Sequence, residues 1–97
     1  MIPNFEWDLD KARENERKHG ITFEEAATAF GDDDAVLGDD IVHSDREDRF
    51  IIIGMSARDR LLLTVYVIRH EDMVRIISSR RASRLDKLKY DKKNRGF

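Results

Sequence analysis

Residues 75–84 (RIISSRRASR) hold the densest set of groups in the chain that are able to act on a phosphate. Their β-branched start reads as a strand, and Ser83-x-x-Asp86 reads as a capping-box variant that opens a helix. A strand ending in Arg80 and Arg81 delivers two permanently charged guanidinium forks beside a helix N-terminus whose amides are unpaired, and each feature favours an oxyanion. Such forks match phosphate oxygens two at a time, so this place can hold a phosphodiester or stabilise charge developing on it. Alternation along a strand puts Arg80 with Ser78 on one face and Arg81 with Ser79 on the other, so one arginine of the pair is expected to face a ligand. The competing reading is internal, with both arginines paired to the acidic loop at residues 45–48.

The rest of the composition narrows the chemistry. The 97 residues contain no cysteine, which removes disulfides, Cys-ligated zinc and thiol nucleophiles together. His19, His43 and His70 show no metal-ligand spacing, so any reaction is expected to run on His, carboxylate, Tyr, Ser and Arg/Lys without metal or cofactor. The longest apolar runs, Phe50–Ile53 and Leu61–Leu63, are strand-sized and flanked by charge, which predicts no membrane span and a cytoplasmic protein. Residues 1–57 carry 6 Lys/Arg against 15 Asp/Glu, and residues 58–97 carry 12 against 5, so a net of −2 hides an acidic half and a basic half. That polarity fits an anionic partner for one surface and a cationic one for another, or else internal charge pairing.

The elements that must position these groups follow from pattern. Residues 2–7 form a short strand. Asp8 is the N-cap of a surface helix over residues 9–19, which Gly20 ends. Thr22-x-x-Glu25 is a capping box for a second helix, whose Phe23, Ala26, Ala27 and Phe30 fall on one stripe. Asp32–Asp34 and Asp39–Asp40 mark a polar connection, with room for an extra strand near 35–37. They read as a solvated loop or, without EF-hand spacing, as a cation site. Runs at 49–57, 60–68 and 73–79 are strands, and their short links imply an antiparallel meander. The Arg58-Asp59 link lacks the Gly or Asn of a tight hairpin. A last helix runs from Ser83 to about Lys93. The expectation is a single α+β domain, residues 1–97, in the order β-α-α-β-β-β-α, with a twisted antiparallel sheet, two N-terminal helices packed on one face and a C-terminal helix.

The phrases FEWD (5–8), RKHGITFEEA (17–26), EDR followed by an apolar strand ending in Gly-Met-Ser (47–56), Arg-Leu-Leu-Leu (60–63) and RIISSRRAS (75–83) resemble, in order and spacing, the BrnT family. The resemblance spans about residues 5–90. It implies the toxin of a bacterial type II toxin–antitoxin pair, with a RelE-like fold and endoribonuclease activity. It also implies a BrnA-like antitoxin with a ribbon-helix-helix DNA-binding domain, contact with promoter DNA only through that antitoxin, and a toxin–antitoxin heterotetramer. Ribosome dependence is left open. The matched phrases point to Lys18 and His19, to Glu47 and Arg49, and to Arg80 and Arg81. Two positions depart from the family pattern: Arg46 stands where a small residue is common, and Tyr66 where a histidine is common.

Cutting RNA in this way needs a base for the 2′-hydroxyl, cations for the phosphorane and an acid for the 5′-oxygen. His19 can serve as acid or base, or as a charge partner for the end of its helix. Glu47 can be the base if Arg49 or Arg80 orients it, or half of a salt bridge. Tyr66 is a candidate acid, a base-stacking platform or a core aromatic. Lys18, Arg49, Arg81 and Arg84 would hold phosphate. The basic last helix (Arg84, Lys87, Lys89, Lys92, Lys93, Arg95) suits either an RNA backbone or an acidic antitoxin segment. The alternative function is a non-catalytic binding module, acting as co-repressor or scaffold in a DNA-binding antitoxin complex.

Overall fold

A computed structural model describes residues 4–40, 48–70 and 72–95. Strand β1 spans Asn4–Glu6 and helix α1 Leu9–His19. Helix α2 spans Phe23–Thr28 and tightens into a 3-10 turn at Ala29–Gly31. Strands β2 (Val36–Asp39), β3 (Phe50–Met55), β4 (Leu61–Arg69) and β5 (Met73–Arg81) follow, and helix α3 (Arg84–Asn94) ends the described chain. No helix among the described residues is long and apolar enough to cross a membrane.

The helix boundaries follow their capping chemistry. Asp8 accepts from the Lys11 amide at 3.0 Å, and Gly20, at φ 69°, donates to the Glu16 carbonyl at 2.8 Å. Thr22 caps α2, but the reciprocal half of its box is absent, because the Glu25 carboxylate turns inward to Ser56 and Arg60. Ser83 and Asp86 form a complete box at the start of α3.

The sheet order is β1-β5-β4-β3-β2. β3, β4 and β5 form the antiparallel meander that their short links require, and β2 is the extra strand, added antiparallel to β3. β1 differs from the expected antiparallel sheet, since it pairs in parallel with β5 through Asn4↔Met73 to Glu6↔Arg75. No hairpin joins these two strands. The helical segment carries the chain from β1 towards the opposite edge, and a tight turn therefore does not set their direction. The link between β3 and β4 closes without Gly because Asp59 takes the left-handed conformation, φ 59°.

One sheet face is covered by Phe23 and Ala26 of α2 and carries Ile52, Tyr66, Val74 and Ile76. A Cβ on Gly54 would meet the Ala29 carbonyl oxygen at 2.8 Å, so the 3-10 turn lies directly against backbone there and only glycine fits. A register shift opposite Val65/Tyr66 leaves Ile77 unmatched. This bulge keeps both Ile76 and Ser79 on the packed face, with Thr64 and Ser79 sharing a buried hydroxyl bond of 2.9 Å. The other face presents cross-strand rows: Ile51, Val65 and Ser78, then Ile53, Leu63 and Arg80.

Candidate functional site

Ser78 and Arg80 do share a face, and that face is concave. A hollow of about 390 Å³ is floored by Ile51, Leu63 and Val65, with Ser78, Ser79, Arg80 and His19 on one side and Asp39 and Asp40 on the other. His19 ends α1 and is exposed there, while Asp39 and Asp40 come from the end of β2. The Arg49 carbonyl accepts from the Asp40 amide at 2.8 Å, which places Arg49 at the same rim. A neighbouring depression is lined by Leu37, Gly38, Asp39, Phe50, Tyr66 and Ile68, and among the described residues it has no cationic side chain to neutralise a phosphate.

Among the described residues Arg80 pairs with Asp86 and not with Asp48, while residues 45–47 of the acidic loop lie outside them. Arg80 Nη1 donates to Asp86 Oδ2 at 2.9 Å and to the Arg81 carbonyl at 3.1 Å. Its side chain remains 42% exposed, and among the described residues Nε and Nη2 have no intramolecular partner. Those nitrogens form an outward fork. Arg81 is exposed and makes no ion pair among the described residues.

The same Asp86 oxygen accepts from the Ser83 amide at 2.8 Å. Burial opposes ionisation of Asp86, but the bonds from the Ser83 amide and the Arg80 guanidinium outweigh it and lower its pKa. The helix end is consequently not the open anion site that its sequence implies. The capping box occupies the amides of Ser83 and Asp86 and adds a carboxylate, so the anion attraction at this margin comes from the arginines.

The other expected site residues are dispersed. Lys18 lies next to His19, exposed, with Nζ 3.6 Å from Glu14. Arg84 opens α3 and is exposed. Tyr66 belongs to the packed face, where it is 8% exposed and meets Phe30 and Phe50 edge-on or tilted, at ring separations of 5.0 and 5.7 Å. Burial and the nearby Asp39 raise its pKa. The structure does not bring it to His19 and Arg80, because a strand's alternating faces separate them. Glu47, together with Arg46 and His43, lies outside the described residues.

Sequence reasoning missed three groups. Asp86 was visible only as a cap. Asp39 and Asp40 looked like loop, and strand pairing is what carries them to the rim. Asp32, grouped with its acidic neighbours, accepts instead from the Met55 amide (2.8 Å) and the Tyr90 hydroxyl (2.7 Å), tying α3 to β3. Among the described residues no cluster suited to a metal ion occurs.

A family model described as the ribonuclease toxin BrnT of type II toxin–antitoxin systems matches residues 7–86. Among solved structures, the Brucella abortus ribonuclease toxin BrnT is similar in fold, with a TM-score of 0.64 at 21% identity, covering 84% of this chain and 99% of that one. No curated protein matches the chain by sequence at a significant level.

Proposed function

The chain belongs to the BrnT family of ribonuclease toxins of type II toxin–antitoxin systems, and from that premise we propose that it cuts RNA in the hollow between His19 and Arg80. The observation that carries this reading is the meeting, in one concavity, of an imidazole and a guanidinium whose fork has no partner among the described residues. The proposed unit is a single RelE-like domain working without metal.

In the proposed reaction a base takes the proton of a ribose 2′-hydroxyl, and the oxygen attacks the adjacent phosphorus. Arg80 Nε and Nη2 neutralise the non-bridging oxygens of the phosphorane. An acid then protonates the departing 5′-oxygen, leaving a 2′,3′-cyclic phosphate and a 5′-hydroxyl. His19 takes one proton-transfer role, since an imidazole can both accept and donate a proton through its ring nitrogens. A carboxylate takes the other: Glu47 by family resemblance, with Asp40 as a competitor at the rim. Tyr66 has no role in this scheme. Arg81, Arg49, Lys18 and Arg84 hold flanking phosphates. The protein partner implied for a type II toxin is proposed to be a BrnA-like antitoxin, in a heterotetramer that reaches promoter DNA through the antitoxin.

Purified protein mixed with a defined RNA in excess EDTA is expected to yield cyclic-phosphate ends, and Arg80→Ala to lower kcat/KM by about 10²–10³-fold. Intact RNA under these conditions, or undiminished cutting by Arg80→Ala, would overturn the scheme. Intact RNA together with operator binding alongside the antitoxin would instead support the co-repressor reading.

A further inference from the structure

Asn15 is the buried residue of α1, 6% exposed in a helix that is otherwise mostly exposed charged residues. Its Nδ2 donates to the Ser79 carbonyl at 2.8 Å and to the Ile21 carbonyl at 2.9 Å, and its Oδ1 accepts from the Ser79 amide at 2.9 Å. The two bonds to Ser79 are those that a neighbouring strand would make. Among the described residues β1 pairs with Met73–Arg75, so the β5 edge at Ser79 lies beyond it, and the Asn15 carboxamide fills that edge. The third bond pins the chain beyond Gly20.

These contacts bracket the candidate site. His19 lies one helical turn after Asn15 and on the same face, because residues four apart on a helix are neighbours. Arg80 is the residue after Ser79. The helix bearing the imidazole and the strand bearing the guanidinium are therefore joined, next to both groups, by one side chain. We infer that Asn15 is a positioning residue that sets the separation of His19 from Arg80. This rests on the cleavage site proposed above.

Asn15→Ala leaves both Ser79 backbone groups unpaired and frees the end of α1 to shift. Displacement of a reacting group by about 1 Å can cost about 10²-fold in rate. In the RNA cleavage assay Asn15→Ala is expected to lower kcat by about 10–100-fold, with KM within about twofold of wild type. The decisive measurement is a double-mutant cycle with His19→Ala. If Asn15 acts through His19, adding Asn15→Ala to His19→Ala costs less than about twofold more.

Multiplicative losses, or wild-type kcat in Asn15→Ala, would overturn the inference. Circular dichroism melts verify that every variant is folded at the assay temperature. Should Asn15→Ala fail to fold, Asn15→Asp, which keeps the acceptor for the Ser79 amide, takes its place in the cycle. Undiminished cleavage by His19→Ala would sink the underlying site and this inference with it. Impaired His19→Ala with multiplicative losses would sink the inference alone.

Discussion

Arg60 and Arg80 both stand beside strand ends and both meet a buried carboxylate, yet they are used in opposite ways. Arg60 grips Glu25 with two nitrogens, Nε to Oε2 at 2.9 Å and Nη2 to Oε1, and its side chain is 21% exposed. The Ser56 hydroxyl donates to the same carboxylate at 2.7 Å, and Arg58 lies 3.8 Å away. That fork faces inward and closes the β3–β4 turn onto α2. Arg80 gives Asp86 only Nη1 and keeps the rest of its guanidinium in the hollow. A bidentate pair with both partners satisfied is structural, whereas a monodentate pair beside a concavity holds an arginine in place and leaves it able to bind.

The contrast can be broken from either side. Glu25→Gln is expected to lower unfolding free energy by about 3 kcal/mol, read from the urea midpoint, with little change in cleavage per folded molecule. Arg80→Ala should do the reverse, costing about 1 kcal/mol of stability while nearly abolishing cleavage. Equal stability losses would erase the distinction.

Acid sharpens it. The Arg60 guanidinium holds Glu25 below its ordinary value of 4.5, and Asp32 and Asp86 lie below 3.8 because the bonds they accept outweigh burial. These folded values lie below the unfolded ones, so the stabilisation is fully present above about pH 4.5 and is lost as pH falls through the lowered values. Urea midpoints should fall as pH drops from about 4.5 towards about 3, and fall less steeply in Glu25→Gln. The smallest effect is expected for Tyr90→Phe. Burial and Asp32 push the Tyr90 hydroxyl up to about 12, so it donates at every working pH, and its removal should cost about 1 kcal/mol in the same titration.

Much of this architecture was legible in the sequence. The caps at Asp8, Thr22 and Ser83 and the glycine after α1 are local devices whose partners lie within three or four residues, and they appear as read except that Glu25 does not complete the Thr22 box. The meander strands were also legible, because short links leave little choice of partner. What escaped was non-local. The parallel pairing of β1 with β5 depends on where 66 residues of intervening chain lead, and no turn chemistry encodes it. Tyr66 could equally have faced either side until the bulge at Ile77 and the rings of Phe30 and Phe50 placed it. Asn15 carried no signal at all, since a polar residue in a charged surface helix looks ordinary until an open strand edge is set beside it.

The seating of α3 has a mechanical consequence. Leu85 and Leu88 point outward, 62% and 57% exposed, so this helix is fastened chiefly by polar contacts: Asp86 to Arg80 near its start, Tyr90 to Asp32 at its middle, and Lys93 and Asn94 to the Ala35 and Asp34 carbonyls at its end. An element clipped on in this way loosens before the sheet does, because little apolar surface must be wetted to release it. Loosening its first clip also unhooks Arg80, so the readiness of the guanidinium is coupled to the seating of this helix.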